Sequence, residues 1–130
     1  MQVVKKSSLP TVRLNGEVSA HVFDGSQNGG LSSSAFIVDV AVGVGPRRHR
    51  HPYDEIFVIV EGVIRIEAGG EQLDATAEEV VVVPRGVAHS FTNLGPGRAK
   101  MVNVHAASVV VTEFADDGPT DVAYEYNHTT

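Results

Sequence analysis

Ser33 to Val44 (SSAFIVDVAVGV) places Phe36, Val38, Val40 and Val42 on one face and Ile37 and Asp39 on the other, the period-two pattern of a half-buried strand. Similar short runs recur at Val18–Phe23, Ile56–Val60, Gly62–Ala68, His89–Asn93, Lys100–His105 and Ser108–Phe114. Val80–Val83 is an unbroken run of valines, whose residue type predicts a buried strand. Turn residues separate these runs: Asp24-Gly25, Asn28-Gly29-Gly30, Pro84-Arg85-Gly86, Leu94 to Gly97, and Gly69-Gly70, which has the form of a hairpin turn. Asp74–Glu79 (DATAEE) has helical composition but is too short to hold a helix alone. About eight short strands with Gly/Pro turns and no convincing helix predict an all-β barrel or sandwich.

The two ends differ from this middle. The first 15 residues, with Lys5-Lys6-Ser7-Ser8 and Pro10, read as an arm. It is suited either to lying on a neighbouring sheet, a partner subunit's included, or to hanging loosely. After Phe114 the aliphatics thin out and Asp116, Asp117, Asp121 and Glu125 appear, so residues 115–130 read as an acidic surface tail that Tyr124 and Tyr126 could pin down. The expected organisation is one domain over residues 1–114 followed by that tail, which suits a length of 130 residues.

Composition narrows the function. Lys and Arg number 10 against 16 Asp and Glu, a formal charge of −6, which argues against a nucleic-acid partner. There is no cysteine, so disulfides and thiolate metal sites are excluded. No signal-peptide pattern opens the chain and no run reaches the ~18 apolar residues of a membrane span, so a cytoplasmic protein without membrane contact is expected.

The densest chemistry lies in Gly43–Gly62 (GVGPRRHRHPYDEIFVIVEG). His49 and His51 are two apart, so in an extended chain their imidazoles look the same way and can share one ion. Pro52-Tyr53-Asp54 breaks the alternation, and Glu55 then opens the next apolar run, where its carboxylate can swing back toward the imidazoles. Two imidazoles and one carboxylate suit a first-row divalent cation: iron, manganese, nickel, copper or zinc. Such an ion still lacks ligands, and a further one is expected downstream.

Pro84-Arg85-Gly86-Val87-Ala88-His89-Ser90-Phe91-Thr92-Asn93 supplies a second motif. With Gly43, His49, His51, Glu55 and Gly62 before it and Pro84, Gly86, His89 and Asn93 within it, the chain resembles the cupin superfamily, in its small single-domain form. One position departs: Glu78 stands where the second motif usually begins with glycine, which bears on a turn and not on the ligands. The resemblance implies a jelly-roll barrel, also called a double-stranded β-helix, holding one divalent metal on His49, His51, Glu55 and His89. It also implies a homodimer. A site with three His and one Glu leaves about two octahedral positions for water, dioxygen or substrate.

The reading that follows is a metal-dependent enzyme acting on a small organic molecule. Dioxygenase-type oxidation leads, with isomerase, cyclase or decarboxylase chemistry behind it; the alternative is a non-catalytic module that senses a sugar, a metabolite or a metal. Glu55 could alternate between ligand and proton acceptor. His105 shares a face with Met101 and Asn103, pointing either into the cavity as a base or supporting donor or outward to solvent. Arg48 could clamp an anionic substrate, although alternation sets it opposite the histidines. Phe36, Tyr53, Phe57 and Phe91 are either packing or substrate-pocket residues.

Overall fold

The structure, a computed structural model, describes residues 1–115 and 124–127. Twelve strands follow in order: β1 Thr11–Leu14, β2 Glu17–Phe23, β3 Ser34–Val40, β4 His49–Arg50, β5 Glu55–Glu61, β6 Ile64–Ala68, β7 Glu71–Ala75, β8 Val80–Val83, β9 His89–Asn93, β10 Ala99–His105, β11 Glu113–Phe114 and β12 Tyr124–Asn127. They build a seven-stranded sheet, β12-β1-β2-β3-β10-β5-β8, and a five-stranded sheet, β11-β4-β9-β6-β7. Pairing is antiparallel throughout, the all-β jelly roll that the strand pattern and the motifs predict.

Alternation along each strand fills the space between the sheets. Val38 and Val40 of β3, Phe57 and Ile59 of β5 and Met101 of β10 face inward from the large sheet, and Ile64, Ile66 and Phe91 meet them from the small one. Two hairpins depend on backbone that ordinary residues avoid. Asn15-Gly16 joins β1 to β2 with φ of 53° and 82°, and Gly69-Gly70 joins β6 to β7 with φ of 58° and 84°. Positive φ at both central residues matches the right-handed twist of the flanking strands.

Several expectations are altered by tertiary context. The N-terminal stretch is drawn into the barrel from Leu9 onward: Leu9, Val12 and Leu14 are buried, and β1 pairs with β2 of the same chain. Val80–Val83 is a strand but not a buried one. It is the last strand of the large sheet, so Val80 and Val82 point outward, 61% and 62% exposed, while Val81 is partly buried against the core and Val83 is covered. Ser108–Phe114 contributes only the short β11. Its first half is tied instead to the 24–26 turn, where Ser26 N–H donates to the Ser108 carbonyl at 2.8 Å and Val110 N–H to Asp24 Oδ2 at 3.1 Å. Asp74–Glu79, as its shortness implies, forms no helix: β7 runs to Ala75, and the turn after it closes with Glu79 N–H on the Thr76 carbonyl at 3.0 Å. Of the acidic segment 115–130, Ala115 is buried and Tyr124–Asn127 pairs along β1; Asp116, Asp117, Asp121 and the rest lie outside the described residues.

From β8 across to β3 the outer face of the large sheet carries apolar rows. Cross-strand register aligns Val82, Ile56 and Val104 in one row, and Val80, Val58, Val102 and Ile37 in the next. Beyond these rows Lys100 lies opposite both Glu61 and Asp39, so charge takes over at the margin.

Candidate metal centre

The local chain path explains how the site residues meet. His49 starts β4 and lies directly opposite His89 at the start of β9, with ring centroids 4.5 Å apart. Pro52, which has no N–H, follows β4 closely, and His51 sits in the bend. The bend is clipped to the Pro84-Arg85-Gly86 turn. Gly86 N–H donates to the His51 carbonyl at 2.8 Å, and Asp54 accepts from the Arg85 N–H at 2.9 Å and from its guanidinium at 3.2 Å. Glu55 opens β5 as the cross-strand neighbour of Val83 on one side and His105 on the other.

One nitrogen or oxygen from each of His49, His51, Glu55 and His89 falls within 4.8 Å of the others, and all four residues are buried. The hydrogen bonds behind them set the tautomers. Nδ1–H of His49 donates to the Arg47 carbonyl at 2.7 Å, that of His51 to the Val111 carbonyl at 2.7 Å, and that of His89 to the Val87 carbonyl at 2.8 Å. A carbonyl can only accept, so in each neutral ring the Nε2 lone pair faces the centre. Burial, with neighbouring His89 adding to it, pushes the His49 pKa down to about 3, which keeps that ring neutral. Glu55 Oε1 sits 3.2 Å from His51 Nε2 and 3.0 Å from His89 Nε2. Acceptors at such distances repel unless a positive centre lies among them, and His51 Nε2 has no hydrogen-bond partner. The donor set therefore fits a divalent cation, with backbone carbonyls orienting the rings as they do around bound metals.

Burial alone would raise the Glu55 carboxyl, but hydrogen bonding, from His105 first, overrules it and holds the group well below the usual carboxylate range. His105 faces inward. Its Nε2 is 3.3 Å from Glu55 Oε2, its Nδ1 is 2.6 Å from the Tyr53 hydroxyl, and its ring stacks on Phe36 at 4.6 Å.

His49, His51 and Glu55, with His105, form one wall of a cavity of about 40 Å³, ample for a water molecule, which needs ~10–15 Å³. The other walls are mostly apolar: Val12 and Leu14 of β1, Ala20 of β2, Val38 of β3, with Phe36 and Phe91. Ser19, Asn103 and Thr112 add polar atoms, and Asn103 Oδ1 is buried without a partner. Of the expected pocket residues, Phe36 and Phe91 line this space. Phe57 instead lies behind it, edge-on to His89 and Phe91, and Tyr53 stacks on His51. Arg48 borders a separate pocket with Glu67, Gly70 and Ser90, away from the histidines as strand alternation implies. Sequence reading missed Asn103 and the β1 wall. Asn103 shares the face that carries His105, so once that face is known to point inward both are placed.

An antiparallel two-sheet barrel with such a cluster inside defines a small metal-site β-barrel protein. The family model described as cupin domain matches residues 36–105, more than half of the chain, and the chain belongs to the cupin family. It is 38% identical over 55 residues to the polyketide synthase protein CurC of Streptomyces cyaneus, covering 42% of this chain and 36% of that one. Against the tetracenomycin polyketide synthase protein TcmJ of Streptomyces glaucescens it is 26% identical over 102 residues, 78% of this chain and 68% of that one. The chain thus spans about a third of the first relative and about two thirds of the second. In fold it is similar to an oxalate oxidase, with a TM-score of 0.65 at 22% identity over 88% of this chain and 60% of that one. A variant of Bacillus subtilis oxalate decarboxylase OxdC gives 0.67 at 19% identity over 75% of this chain and 28% of the other. Among the described residues no helix is long and apolar enough to cross a membrane.

Proposed function

We propose that this chain is a metal-dependent enzyme that oxidises a small organic molecule with dioxygen, using one divalent transition ion held by His49, His51, Glu55 and His89. The observation that carries the reading is the buried set of lone pairs converging on one point at the wall of an apolar cavity. Such a cation supplies Lewis acidity toward a substrate oxygen and, where it is redox-active, electron transfer. The protein's own part is to hold the three rings by their Nδ1–H groups with Nε2 toward the centre, to exclude water with Phe36, Phe91 and the β1–β3 valines and leucine, and to offer Asn103 Oδ1 to a substrate N–H or O–H. The lowered pKa makes Glu55 a weak proton acceptor and favours its service as a ligand.

A second reaction is favoured by a specific observation: both relatives carry polyketide synthase names. A polyketide-derived substrate is rich in enolisable carbonyls, and ring closure needs no oxidant. Metal analysis of chelator-free protein, followed by turnover of phenolic and poly-β-carbonyl compounds with and without dioxygen, separates the two. Oxidation predicts stoichiometric dioxygen uptake, and cyclisation predicts equal product under nitrogen. Absence of metal from both the isolated and the reconstituted protein would sink the proposal, as would unchanged metal affinity in the His49→Ala, His89→Ala double variant. Metabolite binding without turnover would favour the sensing module.

We further propose that two copies pair through the apolar rows of the large sheet. Exposed Ile56, Val80 and Val82 in these rows are the apolar surface that such a pairing would cover.

A further inference from the structure

His105 is set apart from the other three histidines by the direction of its hydrogen bonds. β10 ends where β5 begins, so the antiparallel register puts His105 beside Glu55. Its ring is held on two sides, stacked on Phe36 with 9° between planes and packed against Tyr53 at 5.2 Å. The Tyr53 oxygen accepts the Val111 N–H at 3.2 Å and lies 2.6 Å from His105 Nδ1. A carboxylate only accepts, so the His105 nitrogen that meets Glu55 Oε2 is the protonated one, and Nδ1 is left to accept from the phenol. The ring proton of neutral His105 is then on Nε2, facing Glu55 Oε2 at 3.3 Å. Three rings present a lone pair to the centre and the fourth presents an N–H.

We infer that Tyr53 and His105 are positioning residues for the metal ligand Glu55: the chain Val111 N–H, Tyr53 Oη–H, His105 Nε2–H holds Oε2, leaving Oε1 as the coordinating atom. This rests on the metal reading of the preceding section. Oε1 is the oxygen that faces His51 and His89, and Oε2 is turned to His105. A carboxylate held in this way binds through one oxygen and does not close over a second coordination position, which stays available to a substrate.

The test uses the full chain and Co(II) alone, read by equilibrium titration and by the visible ligand-field spectrum. Wild type is expected to bind one Co(II). Tyr53→Phe, which keeps the ring on His51, and His105→Phe, which keeps a ring on Phe36, should each retain that stoichiometry, bind about tenfold more weakly and shift the visible band. The double variant should be no weaker than His105→Phe, because the two act through one chain. His105→Gln, which restores an N–H donor, should recover most of the affinity and the wild-type band. Tyr53→Phe is the gentler lesion and serves alone if His105→Phe fails to fold. Unmoved affinity and spectrum in the variants overturn this inference and leave the metal reading standing. Loss of all Co(II) in His105→Phe, as in His89→Ala, overturns it by making His105 a ligand. A wild type that binds no Co(II) refutes both.

Discussion

Asn93 closes the second motif and touches no ligand. It is 1% exposed, and its side chain makes three hydrogen bonds: Nδ2 to the Val40 carbonyl at 3.0 Å and to the Gly97 carbonyl at 2.9 Å, and Oδ1 from the Gly95 N–H at 2.8 Å. It thereby fastens the end of β9 to the end of β3 and to the loop before β10. Asn93→Leu keeps the branching of the side chain and removes all three bonds. At about 1 kcal/mol net for each, the loss is ~3 kcal/mol, with more if the Val40 carbonyl is left without a partner. For a domain of this size that is a fall of ~10 °C in Tm. Asn93→Asp should be no milder at neutral pH, since it turns a carboxylate oxygen toward two carbonyls. Urea unfolding of metal-free protein, followed by circular dichroism, measures both. His89 is four residues away along the strand, ~13 Å, so folded Asn93→Leu should still bind one Co(II). A loss under ~1 kcal/mol with an unchanged slope would refute the assignment of Asn93 as a structural fastener.

Acid should destabilise the metal-free protein earlier than carboxylate titration alone would. Folded His49 resists protonation down to about 3 against an ordinary value of 6.5, so the unfolded chain takes up more protons between those values and stability falls as pH drops through that window. Glu55, lowered from 4.5, adds a loss of the same sign at lower pH. The His49 slope approaches ~1.4 kcal/mol per pH unit, and urea midpoints that stay flat from pH 7 to 5 would contradict it. On the outer face, Val80→Glu with Val82→Glu should convert a dimer to monomer in sedimentation while leaving Co(II) stoichiometry intact. A concentration-independent wild-type monomer would end the dimer proposal.

The site was legible where it depends on spacing along one strand or across one bend. His49, His51 and Glu55 come together through local geometry, and the downstream Pro84–Asn93 motif brings His89 opposite His49. Orientation was harder. Alternation groups Met101, Asn103 and His105 on one face, but which face looks inward depends on β10 lying between β3 and β5, a long-range fact. Val80–Val83 shows the same limit: residue type predicts a strand, while its exposure follows from being the last strand of the sheet. Asp24 diverts the Ser108–Val111 stretch from sheet pairing by accepting the Val110 N–H, a contact between residues 86 apart. Tyr53 reads as a ring by composition, and its hydroxyl gains meaning only from His105.

The four converging groups do not all belong to one sheet. His49 and His89 stand on the five-stranded sheet, Glu55 on the seven-stranded one, and His51 in the bend between them. A cation seated there would rivet the two layers together at one end of the sandwich, in a chain that has no cysteine to do so. Chelation would then loosen the mouth of the barrel as well as empty it, and nearby amide hydrogens would exchange faster without the ion.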